Sequence, residues 1–168
     1  MFDSVIVGVD PGLGSVGFAV LARDRGRPAL VWAASLSTPA DASTEVRLRR
    51  IHAVTAEILA ERRPESLAVE RLLWGRNTGS AMQVARASGV VMLASAQAGV
   101  PVVEYAPLEV KMAVTGVGNA AKDQVRRGLG LILGREAVPS QPDAADAVAV
   151  AVCHLQQSEI RRLAGAAR

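Results

Sequence analysis

The chain has 168 residues, half of them hydrophobic and 21% charged, which is the balance of one globular domain rather than of a disordered segment. A single cysteine, Cys153, excludes an internal disulfide framework and fits a reducing compartment. No run of about 18 apolar residues and no signal-like N-terminus is present, so a soluble cytoplasmic protein without membrane attachment is expected. The net charge of +3 is mild for a nucleic-acid binder, and 3% aromatics argue against an extended stacking platform.

The chain opens on a β-branched run, Phe2 to Asp10, read as a strand ending in the turn Pro11-Gly12-Leu13-Gly14. Gly17 to Leu21 and Ala29 to Ser37 read as two further strands, joined by a polar loop over 23–28. From Thr44 to Arg63 the apolar positions Leu48, Ile51, Ile58 and Leu59 take helical spacing, and Pro64 ends the run. A short strand, Leu67 to Val69, ends on Glu70. A long helix follows, capped by Asn77 or Thr78 and stopped by Gly99 after Ala98. Pro101 to Tyr105 reads as a strand, and helices are expected over 108–114, 120–133 and from Pro142 to about Leu163. The order β-β-β-α-β-α-β-α-α-α predicts an α/β domain, with an antiparallel hairpin sheet extended by parallel strands and helices on both faces.

Gly12-Leu13-Gly14-Ser15-Val16-Gly17 satisfies the glycine spacing of a dinucleotide-binding loop. That site needs a helix after the third glycine to hold a pyrophosphate, whereas Phe18-Ala19-Val20-Leu21 continues as a strand, so the dinucleotide reading fails.

Acidic residues carry the stronger signal. Asp10 and Glu70 each end an apolar strand, where open sheets place ligand and metal sites. Asp143 and Asp146 lie three apart and share one face of a helix start. The bland alternatives are a turn cap for Asp10, a solvated strand end for Glu70 and complementation of the helix dipole for Asp143. Dipole complementation suits Asp146 less, because Ala147, Val148, Val150 and Val152 make the next turns apolar. Four acids brought together would repel unless a cation sat among them, and an oxygen-only donor set favours Mg²⁺ or Mn²⁺. His52 and His154 are far apart in sequence and offer no zinc cluster.

Val-Gly-Val-Asp10-Pro-Gly, Ala-Val-Glu70-Arg and Asp143-Ala-Ala-Asp146-Ala-Val-Ala resemble the RuvC Holliday-junction resolvases, which have a ribonuclease-H-like fold. The resemblance extends through Gly-Arg-Asn77-Thr-Gly-Ser-Ala, Ala-Arg-Ala-Ser-Gly89, Glu104-Tyr105-Ala and Val-Lys111-Met-Ala-Val-Thr-Gly-Val-Gly118-Asn-Ala-Ala-Lys122-Asp-Gln-Val, and covers residues 5 to 155 in order. It implies a homodimeric endonuclease that uses two divalent ions per active site to nick opposed strands of a four-way DNA junction. Asp10, Glu70, Asp143 and Asp146 match the family's catalytic and metal-binding acids, although some relatives carry histidine where Asp143 stands. Lys111 and Lys122, the two lysines of an arginine-rich chain, match positions near the scissile phosphate.

Arg71, Leu73, Trp74, Arg76 and Asn77 form the candidate junction-contacting loop after Glu70. Some relatives carry a base-stacking phenylalanine there. Leu73 takes its place in this chain and cannot stack as an aromatic does, whereas Trp74, one residue on, can. The small residues of the long helix, among them Gly79, Ala81, Ala85, Ala87, Gly89 and Ala94, suit either close packing on the chain's own sheet or the dimer contact that the resemblance implies. It also implies a branch-migration helicase complex as a partner.

The whole chain, 1–168, is expected to form one nuclease domain, with a flexible C-terminal tail from about residue 160. Two competing readings stay open: a catalytically silent junction-binding dimer, and an actin- or sugar-kinase-like ATP-binding domain. The second needs two such domains facing a cleft, for which this length is too short.

Overall fold

The computed structural model describes residues 4–72 and 78–166. The sheet holds β1 (Ser4–Asp10), β2 (Ser15–Asp24), β3 (Arg27–Ser37), β4 (Ser66–Glu70) and β5 (Val102–Tyr105). The helices are α1 (Thr44–Arg62), α2 (Thr78–Gln97), α3 (Pro107–Thr115), α4 (Lys122–Leu133) and α5 (Pro142–Ala166), with a 3₁₀ turn at Arg135–Ala137 before α5. The element order is the expected one, apart from that added turn.

Strand order is β3-β2-β1-β4-β5, with β1 antiparallel to β2 and parallel to β4, and β4 parallel to β5. This is the mixed sheet that the sequence predicts. The β2–β3 hairpin is longer than expected, because its turn is only Arg25-Gly26. Both residues have positive φ, 49° and 80°, so the strands pair up to Asp24 and Arg27. At the other end β2 starts at Ser15 rather than Gly17, and Gly17 pairs with Asp10 inside the ladder. The third glycine of the dinucleotide-like pattern is therefore a strand residue, as its sequence context required.

Side-chain alternation along β1 and β4 sorts the sheet into two faces. Val7, Val9, Leu67 and Val69 join Phe18, Val20, Ile51, Ile58, Leu59, Ala87 and Val91 in a core under α1 and α2. Ile6 and Ala68 face the other way, into a core built with α3, α4 and α5. Gly8 lies on that second face, where a Cβ would come within 2.4 Å of the Ala147 carbonyl oxygen and 2.7 Å of the Ala151 Cβ. Only a residue without a side chain lets α5 lie this close to the central strand. The same alternation turns Asp10 and Glu70 toward α5.

His154 ties α5 to two strands. Its Nε2 lies 2.7 Å from the Ser66 hydroxyl of β4, and its Nδ1 lies 2.8 Å from the Tyr105 hydroxyl of β5. Burial lowers the His154 pKa, which keeps the ring neutral, with one nitrogen donating and the other accepting. His52 instead pairs with Gln97 across α1 and α2 at 2.7 Å. Each histidine thus has a hydrogen-bonding role in packing.

Candidate active site

Parallel β1 and β4 end at the same edge of the sheet, and each ends on an acid. The first turn of α5 lies over that edge, because Gly17 admits it. A Cβ on Gly17 would sit 1.9 Å from the Asp143 carbonyl oxygen and 3.1 Å from the Ala144 nitrogen. This close approach carries Asp143 and Asp146, one helical turn apart, onto Asp10. One carboxylate oxygen from each of Asp10, Asp143 and Asp146 lies within 4.8 Å of the others. Among the described residues, no other group of three or more His, Cys, Asp or Glu side chains is gathered this way.

Glu70 stands beside this trio rather than within it. It shares a cleft of about 260 Å³ with Asp10, with Pro11, Arg71, Leu72, Val84 and Pro107 completing the walls. Electrostatics still couples the four acids. Burial pushes the Asp10 pKa up to about 7, and the Glu70, Asp146 and Asp143 carboxylates push the same way against the pull of Lys122. Burial also raises Glu70, with Asp146 adding to the effect and Lys111 and Lys122 opposing it. Lys122 Nζ donates to Asp146 Oδ2 at 3.1 Å, and this bond raises the lysine pKa. Both lysines singled out from the sequence therefore act on the acidic cluster: Lys122 on Asp146 directly, Lys111 on Glu70 through its charge.

Arg71 is exposed. Its Nη2 lies 4.0 Å from Glu109, and its backbone N–H donates to the Tyr105 carbonyl at 2.7 Å. Leu73, Trp74, Arg76 and Asn77 lie outside the described residues. Sequence reasoning missed Ser15, whose hydroxyl donates to Asp143 Oδ2 at 2.5 Å and fixes that carboxylate from the first residue of β2. Thr38 braces the β1–β2 turn by donating to the Leu13 carbonyl, and Arg47 Nε donates to the Thr38 hydroxyl at 2.9 Å. The glycine-rich pattern was the available signal, because it brings Ser15 to the end of the strand that carries Asp10.

The donor set fits a hard divalent cation: every candidate ligand atom is a carboxylate oxygen, as Mg²⁺ and Mn²⁺ prefer. The fit is electrostatic as well, since the raised Asp10 pKa reports negative charge crowded into a poorly solvated site.

Comparisons with known proteins identify the family and the fold. The family model described as "Crossover junction endodeoxyribonuclease RuvC" matches residues 6–154. The RuvC of Moorella thermoacetica is 43% identical over 150 residues, which is 89% of this chain and 90% of that protein. T. thermophilus RuvC, solved in complex with Holliday junction substrate, superposes with a TM-score of 0.87 at 35% identity and covers 94% of this chain and 96% of its own. A yeast mitochondrial Holliday junction resolvase, Ydc2, shares the fold with a TM-score of 0.69 at 10% identity. With family model, sequence and fold in agreement over nearly its whole length, this chain belongs to the RuvC family of crossover junction endodeoxyribonucleases.

Proposed function

We propose that the protein resolves Holliday junctions, as a divalent-metal-dependent endonuclease that nicks two opposed strands of a four-way DNA junction in recombination and repair. The observation that carries this reading is the meeting of Asp10, Asp143 and Asp146 at one sheet edge, with Glu70 sharing a cleft with Asp10. The direct test is a synthetic four-way junction incubated with protein and Mg²⁺, Mn²⁺ or EDTA. Symmetric nicks that need the metal support it, and binding without nicking would leave a silent junction-binding dimer.

Mg²⁺ or Mn²⁺ held by these acids, two ions per site, would acidify a bound water and neutralise charge building on the phosphate. Asp10, which meets Asp143 and Asp146 and lines a cleft with Glu70, would be a ligand to the metal. Glu70, its pKa raised by burial, faces the cleft and suits the orientation of an attacking water. Ser15 holds Asp143 in place, and Lys122 offers its ammonium to a phosphate entering beside Asp146. Lys122→Ala should slow nicking about 10- to 100-fold at saturating enzyme if that ammonium contacts the scissile phosphate. A change confined to the salt dependence of binding would make it a positioning contact only.

Metal and proton should compete for Asp10. A carboxylate whose folded pKa is raised above its ordinary value stabilises the fold while protonated; that contribution is lost as pH rises from 3.8 through about 7. Bound metal reverses the preference, because a carboxylate ligand must be ionised. Thermal melts in EDTA and in Mg²⁺ should therefore differ more at about pH 8 than at about pH 5.5. An equal Mg²⁺ shift at both values would remove Asp10 from the metal site.

The homodimer is assigned to the outer face of α2. Ala81, Ala87, Val91 and Ala94 are buried against the chain's own core, whereas Met82, Ala85, Gly89 and Leu93 form an exposed stripe at helical spacing. One face of α2 thus packs on the chain's own core, and the opposite face is left free for the dimer contact. A Cβ on Gly89 would meet nothing within 4 Å, so Gly89→Arg should leave the protomer folded and halve the mass seen by light scattering. Two twofold-related sites would suit a substrate that is itself nearly twofold.

Trp74 is assigned, from sequence, the stacking role at the junction centre, with Leu73, Arg71, Arg76 and Asn77 beside it. A branch-migration helicase complex is assigned as a partner on family resemblance. The whole chain is taken as one nuclease domain acting in the cytoplasm, and no described helix is long and apolar enough to cross a membrane.

A further inference from the structure

From the functional cleft a second feature leads away along α4. Val125, Gly128 and Leu129 face the core, which leaves Lys122, Arg126, Arg127 and Leu131 on the outer side. A crevice lined by Lys122, Asp146 and Arg126, among others, runs between α4 and α5. A wider groove of about 560 Å³ lies next along α4, lined by Arg126, Arg127, Arg135, Gly130, Leu131 and Val138. Arg126 lines both, so the two are neighbours along α4, one reaching Asp146 and the other Arg135.

The groove is built rather than incidental. Arg126 Nη1 donates to the Pro139 carbonyl at 2.8 Å, which fixes that guanidinium on the floor between α4 and the segment leading to α5. The side chain of Arg135 lies across Gly130, where a Cβ would come within 3.3 Å of its Cγ. Residues 122–136 hold four cations, Lys122, Arg126, Arg127 and Arg135, against two acids, Asp123 and Glu136. This one short stretch thus supplies +2 of a chain whose net charge is +3. Arg126, Arg127 and Arg135 form no ion pair with an acid among the described residues. Guanidinium groups held in a groove without carboxylate partners are suited to the oxygens of phosphate.

We propose that this arginine groove is a second DNA-backbone site, which grips the phosphates of a junction arm several nucleotides away from the one being cut. The proposal rests on the resolvase reading and adds to it a strand path. The 12 residues of α4, at ~1.5 Å per residue, span about 18 Å. At ~3.4 Å of duplex axis per phosphate on one strand, this places Arg135, just past the end of α4, roughly five to six nucleotides from a phosphate at Lys122, and Arg127, five residues along the helix, roughly two. Phosphate contacts of this kind carry no sequence information. They fix the register of the arm, so that the scissile phosphate is delivered to the acids.

The test uses the full-length protein and a synthetic four-way junction in EDTA, with affinity measured across a range of KCl concentrations. Arg127→Gln with Arg135→Gln should flatten the slope of log K against log salt by about 0.9 for each phosphate no longer neutralised, hence about 2 for each protomer engaged. Arg127→Lys with Arg135→Lys, which keeps the charge, should retain most of the slope. A second measurement needs no variant. Neutral methylphosphonate linkages, walked along each strand, should weaken wild-type binding in a window about two to six nucleotides from the cut. The same window should have no further effect on the double glutamine variant. An unchanged slope, or no sensitive window at that distance, in a protein that still nicks the junction would overturn the arginine groove alone. A wild-type protein that neither prefers nor nicks the junction would overturn the resolvase reading instead.

Discussion

Asp10→Asn should abolish junction nicking while leaving junction binding in EDTA intact or tighter. The carboxamide keeps the shape of the side chain but removes the charge that would hold the metal, and the acids on either side cannot supply it. A loss on the order of 10³-fold or more is expected, equivalent to about 4 kcal/mol of transition-state stabilisation. Binding should survive because the acids repel phosphate when no metal is present, and Asp10, crowded by Glu70, Asp146 and Asp143, is the most constrained of them. Single-turnover cleavage and electrophoretic mobility shift, run on the same preparation, separate the two effects. Nicking at wild-type rates would remove Asp10 from the site. The same substitution should also raise the melting temperature of the metal-free protein near neutral pH, since it removes a buried like charge.

Gly17→Ala should be nearly as damaging, through packing rather than chemistry. The added methyl would sit 1.9 Å from the Asp143 carbonyl oxygen and 2.4 Å from its carbon, so the start of α5 must lift off the sheet. Overpacking of this kind costs about 1–3 kcal/mol or more, which for a domain of this size lowers Tm by several degrees. The larger effect falls on the site, because lifting α5 displaces Asp143 and Asp146 from Asp10 together. A misplacement of about 1 Å can cost on the order of 10²-fold in rate. Gly8→Ala is the informative comparison. It strikes the same helix at Ala147 and Ala151, one and two turns beyond Asp143, and should cost similar stability with a smaller fall in nicking. Equal loss of activity in the two variants, measured well below both melting temperatures, would mean that α5 moves as a rigid rod and that no local displacement at Asp143 is involved.

The two glycines show where sequence reading stops. Element types and their order are legible from periodicity, because a half-buried strand and an amphipathic helix repeat at different spacings. The identities of the acids are legible too, since a carboxylate at the end of an apolar strand or in the first turn of an alanine-rich helix stands out from its neighbours. Lys111 and Lys122 attract attention by their scarcity and by family resemblance, but the sequence does not say that one pairs with Asp146 and the other opposes Glu70. Ser15 went unread because a hydroxyl in a glycine-rich turn has many ordinary uses. Its partner Asp143 is 128 residues away, and only the docking of α5 brings the two within 2.5 Å.

The division of α2 into a buried and an exposed small-residue face was equally undecided, because alanine and glycine give almost no hydrophobic contrast around a helix. So was the arginine groove, which joins α4 to the turn after it and depends on Arg126 reaching the Pro139 carbonyl. The sequence by itself determined the kinds of element, their order and the chemistry of the candidate ligands, all of which are local properties of a chain. The tertiary structure decided which acids meet, how far Glu70 stands from the other three and which cations face them. Those are distances between residues remote in sequence, set by how closely a helix can approach a strand that has a glycine beneath it.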